Sequence, residues 1–328
     1  MVKFTLHEEK RRSKREINLP EELKGHASML EKMGIKEKAE GAGLSFPLLS
    51  FALGQKLMKI TSEIALLKRF DLLDLQSKFN RFFNKVKGEN VLAWLIQALP
   101  KSYITDKKAI LSLDDTPLQK SGKKMKGSGK FHSNATFYHG YELVTASLTT
   151  SKGTFPLGFA LHTKDSPSKI DLSTEIIQHV LSFGLCPAFI VFDAWYNAKV
   201  LLDFLILRGL SFIVPLKKNS LIHYRHRSYH AKDFIRLCRQ NGKKSFEVFL
   251  KGLSHPLRLI VFKRLFKKGG SRFEILITND VLSSIKTLKN AYLLRWSIES
   301  LFRAGKQSFC LQDFHNRSLQ AIKNHIAF

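Results

Sequence analysis

Ala109-Ile-Leu-Ser-Leu-Asp114-Asp115-Thr116-Pro117 is where the chain changes character, and its reading decides the fold. A short apolar run of strand-forming residues breaks off at two carboxylates, a threonine and a proline. Two further β-rich runs follow, Glu142 to Thr149 and Phe155 to His162, joined by a Ser-Lys-Gly-Thr turn. Asp171 to Phe183 reads as a helix and leads through Gly184 and Pro187 into Ala188-Phe-Ile-Val-Phe-Asp193, a buried-strand run that again ends on a carboxylate. Asn197 to Arg208 reads as a helix ended by Gly209, and Leu210-Ser-Phe-Ile-Val-Pro215 as another buried strand. Antiparallel-compatible strands followed by alternating helix and strand predict an α/β (α+β) mixed sheet with helices on both faces.

Upstream, residues 1–105 read as an N-terminal helical region. From Leu44 to Leu99 apolar residues recur at helical spacing, as in Leu48, Leu49, Phe51 and Ala52, then Ile60, Ile64 and Leu67. Lys56, Lys59, Lys68, Arg69, Lys78, Arg81, Lys85 and Lys87 interleave with them. DNA binding is the functional reading, and a helical cap on the next domain is the alternative, because no helix-turn-helix register stands out. Downstream, three β-like runs, Phe246 to Lys251, Leu257 to Arg264 and Phe273 to Thr278, fall in residues 217–280. An inserted β-rich subdomain is the economical account, separating a first part of the core at 106–216 from a second part at 281–328.

Charge sets the class of partner. The 328 residues carry 54 Lys+Arg against 27 Asp+Glu, a formal net charge of +27. An excess of that size opposes compaction and calls for a polyanion, of which nucleic acid is the common one. Lys and Arg interrupt every hydrophobic run, so no bilayer-spanning stretch is expected and no membrane partner. The N-terminus lacks the apolar run of a signal peptide. Three scattered cysteines, Cys186, Cys238 and Cys310, make a disulfide framework improbable and point to a reducing, cytosolic compartment. Gly122-Lys123-Lys124-Met-Lys126-Gly127-Ser-Gly-Lys130 lacks the Gly-Lys-Ser/Thr spacing of a phosphate loop, so no nucleotide is expected. It reads instead as a flexible basic loop set against a DNA backbone by Lys123, Lys124 and Lys126. His223, His226 and His230, with Cys238 beyond, have near-ligand spacing but no CxxC or HExxH frame, and no zinc is assigned.

Near the C-terminus stands Tyr292-Leu-Leu-Arg295-Trp296-Ser-Ile-Glu299-Ser-Leu-Phe-Arg-Ala-Gly-Lys306. On a single helix Arg295, Glu299 and Lys306 fall in one narrow arc beside Tyr292, with Leu294, Ile298 and Leu301 opposite. The simplest account is a solvated Arg–Glu pair at i, i+4. Against it stand the aspartates at two strand ends upstream, where ligand sites of α/β sheets gather. One strand-end carboxylate is ordinarily a cap or turn former; two, with a Glu beyond them, repel one another unless cations neutralise them.

Tyr-x2-Arg-x3-Glu-x6-Lys at these positions resembles the signature of a large group of bacterial and archaeal insertion-sequence transposases of the DDE type. The resemblance covers roughly Ala109 to Lys323. It implies a ribonuclease H-like catalytic core, which the order β-β-β-α-β-α-β would give. It assigns the first Asp to Asp114, in an Asp-x-Thr context with Thr116, the second to Asp193 and the Glu to Glu299. Asp115 stays open as the alternative first Asp, because strand alternation alone does not say which one faces the cleft. These carboxylates are expected to bind two Mg²⁺ or Mn²⁺ ions about 3.5–4 Å apart, which stabilise the attacking and leaving oxygens of an in-line displacement. Tyr292, Arg295 and Lys306 would hold the phosphates of a DNA end. Trp195 and Trp296 could stack on an unpaired or flipped base, with core or rim packing as the plain alternative.

The function implied is metal-dependent strand cleavage and strand transfer at terminal inverted repeats, that is, cut-and-paste DNA transposition. A dimeric synaptic complex on double-stranded DNA, in the nucleoid-associated cytoplasm of a prokaryote, goes with it. Two alternatives stand beside it: a structure-specific DNA nuclease on the same fold, and a truncated, inactive copy that only binds DNA. The second arises because relatives usually continue with further helices beyond the counterpart of Lys306.

Overall fold

The computed structural model describes residues 19–58, 67–70, 73–122, 124–133, 136–241, 244–265 and 270–328. They form two compact units, Met1–Ala98 with Gly305–Phe328, and Leu99–Ala304. No helix among the described residues is long and apolar enough to cross a membrane.

The first unit is helical. It contains α1 (Glu21–Lys32), α2 (Ile35–Gly41), α3 (Phe46–Leu57), α4 (Gln76–Lys85) and α5 (Gly88–Gln97). Phe79, Phe82 and Phe83 lie one turn apart on α4 and share a buried cluster with Leu23, Leu30, Ile35, Leu49 and Val91. The opposite side of α4 and the residues after it leave Arg81, Lys85 and Lys87 exposed. Lys59, Ile60 and Ile64 lie outside the described residues.

The second unit opens with a single helical turn, α6 (Lys101–Ile104), and is organised around a mixed sheet. Strand β1 (Ile110–Gln119) is followed by β2 (Gly129–Ser133), β3 (Thr136–Thr150) and β4 (Gly153–His162). Next come α7 (Lys169–Leu181), β5 (Phe189–Phe192), a 3₁₀ turn at Ala194–Tyr196, α8 (Lys199–Leu207) and β6 (Phe212–Pro215). Then follow β7 (Leu221–Tyr224), β8 (Arg227–His230), α9 (Ala231–Asn241), β9 (Ser245–Leu250), β10 (Leu257–Leu265) and β11 (Ser271–Thr278). Helices α10 (Ile285–Leu293) and α11 (Trp296–Ser308) come after the last strand.

In the sheet β1 pairs antiparallel with β3 on one side and parallel with β5 on the other, and β5 pairs parallel with β6. The far edge of β3 carries β2 and β4 end to end. Phe189–Phe192 are all buried, as a parallel strand covered on both faces requires. Beyond β6 the sheet continues antiparallel through β11, β10, β9, β7 and β8, so the strands of residues 217–280 extend the same sheet.

Alternation along β1 and β5 decides which residues share a face. Ile110, Phe189, Val191, Ile213 and Leu276 pack with Leu288, Ala291 and Tyr292 of α10. The other face of β3 and β4 is covered by α7. Ser284 caps α10 by accepting the Thr287 N–H, and Arg258 fixes the approach to it by donating to the carbonyls of Ser283 and Val281 at 2.6 and 3.2 Å.

The expected single helix from Tyr292 to Lys306 is two helices. Leu294 and Arg295 form a tight turn whose amides reach back three residues, Leu294 N to Ala291 O at 3.2 Å and Arg295 N to Tyr292 O at 3.1 Å. Leu294 is consequently exposed, while Ile298 and Phe302 are buried.

In the helical unit the last helix, α12 (Leu319–Ala327), packs against α4 and α5. Asn324 is fully buried there, and its amide donates to the carbonyls of Phe83 and Val86 and accepts the N–H of Gly88 at 2.8 Å. One side chain thus satisfies backbone groups at the end of α4 and the start of α5 that helix geometry leaves open. Asn324→Ala strands these buried groups, and we expect a loss of about 2–4 kcal/mol of stability. Urea unfolding checks it; a loss below about 1 kcal/mol would show that the Asn324 bonds matter little.

Candidate active site

Asp114 and Asp193 meet because β1 and β5 run parallel and their pairing ends just before both. The last paired residues are Leu113 beside Phe192, so Asp193 leaves the carboxyl end of β5 next to Asp114, which lies on β1 where that strand runs on paired with β3 alone. Asp193 caps the 3₁₀ turn that follows it, its Oδ1 accepting the N–H of Trp195 at 2.7 Å and of Tyr196 at 3.4 Å. Asp114 Oδ1 accepts the N–H of Asp115 at 2.9 Å.

Arg295, from the turn between α10 and α11, reaches the same place. Its Nη1 donates to Asp114 Oδ2 at 2.6 Å and its Nη2 to Glu299 Oε1 at 2.9 Å. The Arg295 and Asp114 side chains are 11% and 16% exposed, so their ion pair is largely shielded from water, while the Glu299 carboxylate at 37% keeps contact with solvent. Burial works against the guanidinium's charge, but Asp114, Tyr292 and Glu299 outweigh it and hold Arg295 above its ordinary value. Its Nε is buried with no hydrogen-bond partner among the described residues. Glu299 lies in the first turn of α11, where the helix dipole favours a carboxylate.

The Asp114 carboxyl is pushed up to about 7, first by burial and then by Asp193 and Asp115, against the pull of Arg295 and the Asp115 amide. Tyr292 is buried in the apolar cluster under α10. Burial pushes its phenol up, and Arg295 beside it draws it back.

Asp115 points to the other face of the sheet. Its Oδ1 accepts the Tyr196 hydroxyl at 2.7 Å and its Oδ2 the Lys169 ammonium at 3.0 Å. Lys169 also meets Glu142 Oε2 at 3.2 Å, and Glu142 meets His162 Nδ1 at 3.0 Å. Burial acts to raise Glu142, yet His162 and Lys169 outweigh it and hold the carboxyl below its usual range. None of Lys169, Glu142, His162 or Tyr196 was expected at a site. Two oddities signalled them: a glutamate inside a buried strand, and a lysine in the first turn of a helix, where a cation opposes the dipole.

The remaining expected residues are dispersed. Trp195 and Trp296 are 45% and 47% exposed. The Lys169 ammonium lies 4.1 Å over the Trp195 ring, and the guanidinium of Arg264 5.5 Å over Trp296. Lys124 and Lys126 are exposed on a loop that is anchored rather than free, since the Tyr141 hydroxyl donates to the Lys126 carbonyl at 2.8 Å and Lys164 N to the Gly127 carbonyl at 3.1 Å. Lys123 lies outside the described residues. Lys306 lies in the last turn of α11, in the stretch grouped with the helical unit, and burial pushes its ammonium down.

Asp114, Asp193 and Glu299 offer only hard carboxylate oxygens, the donor chemistry that suits Mg²⁺ or Mn²⁺. The guanidinium lodged between Asp114 and Glu299 marks a place that attracts a cation. No group of three His, Cys, Asp or Glu among the described residues is itself arranged to hold a metal ion.

Asp114 generates a pH dependence of stability. Its folded value lies above the ordinary 3.8, so the folded state binds more protons between the two values. Stability of the metal-free protein therefore falls as pH rises from about 4 to about 7. In chelator, wild type is expected to lose thermal stability relative to Asp114→Asn between about pH 5 and about pH 8. Parallel melting curves would remove burial as the controlling influence on Asp114.

Residues 105–328 match the family described as "Transposase DDE domain". No curated protein sequence matches the chain. Among solved structures, it is similar to a piggyBac transposase in a synaptic complex with hairpin DNA, at 13% identity and a TM-score of 0.41. That match covers 66% of this chain and 46% of the other, so the chain spans less than half the length of that relative. It is also similar to endonuclease V of Ciona intestinalis in complex with DNA, at 11% identity and a TM-score of 0.34, over 66% of this chain and 99% of that one. The NurA nuclease of Sulfolobus solfataricus matches at 11% identity and a TM-score of 0.30, over 70% and 85%. Likenesses this distant carry no functional argument.

Proposed function

The chain belongs to the DDE transposase family, and from that premise we propose that it cleaves DNA at the terminal inverted repeats of its element and joins the ends to target DNA, by cut-and-paste transposition. The supporting observation is the pair Asp114 and Asp193, each following the last paired residue of adjacent parallel strands, on the face covered by α10. Arg295 ties Glu299 to the same pair. Asp115, turned to the opposite face, is the weaker candidate for the first aspartate. We read the strand order β4-β3-β1-β5-β6, three antiparallel strands and then two parallel ones, as a ribonuclease H-like core. The Tyr292, Arg295, Glu299, Lys306 spacing supports placing the chain in the signature group of insertion-sequence transposases.

In this reading Asp114, Asp193 and Glu299 hold divalent metal, Mg²⁺ or Mn²⁺, with two ions expected. When bound, that metal supplies Lewis-acid stabilisation of the attacking and leaving oxygens at a phosphodiester. The protein's own part is to position and to neutralise. Asp193 is aimed by the amides of the turn it caps. Arg295 balances Asp114 and Glu299, and the planar fork of a guanidinium also suits a DNA phosphate. Tyr292 braces it from the core. Trp195 and Trp296, both exposed, would stack on a base, and Lys124, Lys126 and Lys306 would meet the DNA backbone. The helical unit, with Arg81, Lys85 and Lys87 exposed, is assigned to recognising the element ends. Synapsis of two ends calls for a dimer.

The test is cleavage of DNA carrying the element's inverted repeats in Mg²⁺. We expect Asp193→Asn and Glu299→Gln to lose cleavage on the order of 10²–10³-fold or more while still binding the DNA. Variants that cut as well as wild type would contradict the site. Wild-type cutting without end preference or strand transfer would favour a nuclease. Salt-sensitive binding with no product, even in Mn²⁺, would favour a copy that only binds DNA.

A further inference from the structure

Behind the aspartates, on the face turned away from Arg295, lies a second buried charge network that the transposase reading leaves without a task. Lys169, Asp115, Glu142 and His162 come from α7, β1, β3 and β4, and Tyr196 comes from the 3₁₀ turn after β5. The Lys169 side chain is 10% exposed and that of Glu142 6%. Helix α7 does not need the lysine, because Ser168 already caps it by accepting the Asp171 N–H. A cation at that end meets the positive pole of the helix and forfeits its hydration. Apolar residues would fill such a place at less cost. The network is therefore best explained by what it holds.

What it holds is the junction between the two aspartates. Backbone pairing of β1 with β5 ends at Leu113 and Phe192, one residue short of both carboxylates. Beyond that point Asp193 is oriented by the amides of Trp195 and Tyr196. The turn carrying those amides is tied back to β1 by the Tyr196 hydroxyl on Asp115 Oδ1 at 2.7 Å. Asp115 is in turn fixed by Lys169 at 3.0 Å, and Lys169 by Glu142 on β3 at 3.2 Å. The chain of contacts from Glu142 to Tyr196 thus closes the seam where the ladder stops. Lys169 also lies against Trp195, one of the two residues whose amides orient Asp193.

We propose that Tyr196 and Asp115, anchored by Lys169 and Glu142, are positioning residues that set the relative placement of Asp114 and Asp193 and so the affinity of the site for divalent metal. The inference rests on the reading of Asp114 and Asp193 as metal-holding residues.

Tyr196→Phe tests it, since it deletes one hydroxyl and leaves the ring in the core. Three quantities are read on the full chain: Mn²⁺ binding by electron paramagnetic resonance without DNA, affinity for the DNA end, and cleavage rate at saturating DNA. The variant is expected to bind Mn²⁺ about 10–100-fold more weakly and to cleave correspondingly more slowly at low metal. Its affinity for the DNA end should stay within about twofold, a split that a general loss of structure would not give. Asp115→Asn, which keeps an oxygen for the Tyr196 hydroxyl, should lose less Mn²⁺ affinity than Asp115→Leu, and this comparison serves if Tyr196→Phe melts below the assay temperature. Wild-type Mn²⁺ affinity in Tyr196→Phe, or equal losses in the two Asp115 variants, overturns the positioning role. Asp193→Asn is run alongside. If it too keeps Mn²⁺ affinity and cleavage, the reading of the aspartates fails; if it alone loses them, only the positioning role fails.

Discussion

Like charges crowded where two parallel strands part are the constraint on which the sheet unit depends. The β1–β5 ladder ends at Leu113 and Phe192, and Asp114, Asp115 and Asp193 sit at that seam with Glu142 and Glu299 close by in the contact network. Carboxylates crowded this closely and partly withdrawn from water are unfavourable unless each meets a cation or a donor. Strand alternation divides the load. On one face Arg295 takes Asp114 and Glu299; on the other Lys169 takes Asp115 and Glu142. Among the described residues Asp193 is held by backbone amides alone, which makes it the carboxylate with most to gain from a further cation.

The surrounding fold serves those two neutralisations. Arg295 can reach Asp114 because the chain tightens between α10 and α11, turning one expected helix into two. Tyr292, Leu288 and Ala291 seat α10 on the apolar face of β1, β5 and β6, so the turn that follows is delivered over the strand ends. Asn279, bonded to Leu210 O and to Phe212 N, ties the start of β6 to the end of β11 just before that helix begins. On the other face, α7 brings Lys169 in at its first residue, and the long β3 carries Glu142 opposite Pro117 of β1. The helical unit is organised separately, around a phenylalanine-rich core and the polar staple of Asn324.

Much of the architecture was legible from local pattern. The apolar runs ending at Leu113, Phe192 and Pro215 are strands, the runs after Glu142 and Phe155 form the β3–β4 hairpin, and the three runs between Ser245 and Thr278 are β9 to β11. Elements with polar sequences escaped notice: β2 follows the basic loop, and β7, β8 and α9 lie in the histidine- and arginine-rich stretch after Lys218. Period-two alternation places Asp114 and Asp115 on opposite faces, but it does not say which face is which until helices are packed on each. Lys169 and Tyr196 were invisible for a different reason. Their partners are 54 and 81 residues away, and only the folded sheet brings them together. The break at Leu294 likewise carries no glycine or proline to announce it.

The central claim is that three distant segments, ending at Asp114, Asp193 and Glu299, make one divalent-metal site. Fe²⁺ in place of Mg²⁺, with ascorbate and peroxide, generates hydroxyl radicals that cut the polypeptide beside the bound ion, and the fragments locate it. The account predicts cuts next to Asp114, Asp193 and Glu299 together, all suppressed by excess Mg²⁺ and all lost in Asp193→Asn. Cuts confined to other segments, or unaffected by Mg²⁺ and by that substitution, would contradict it.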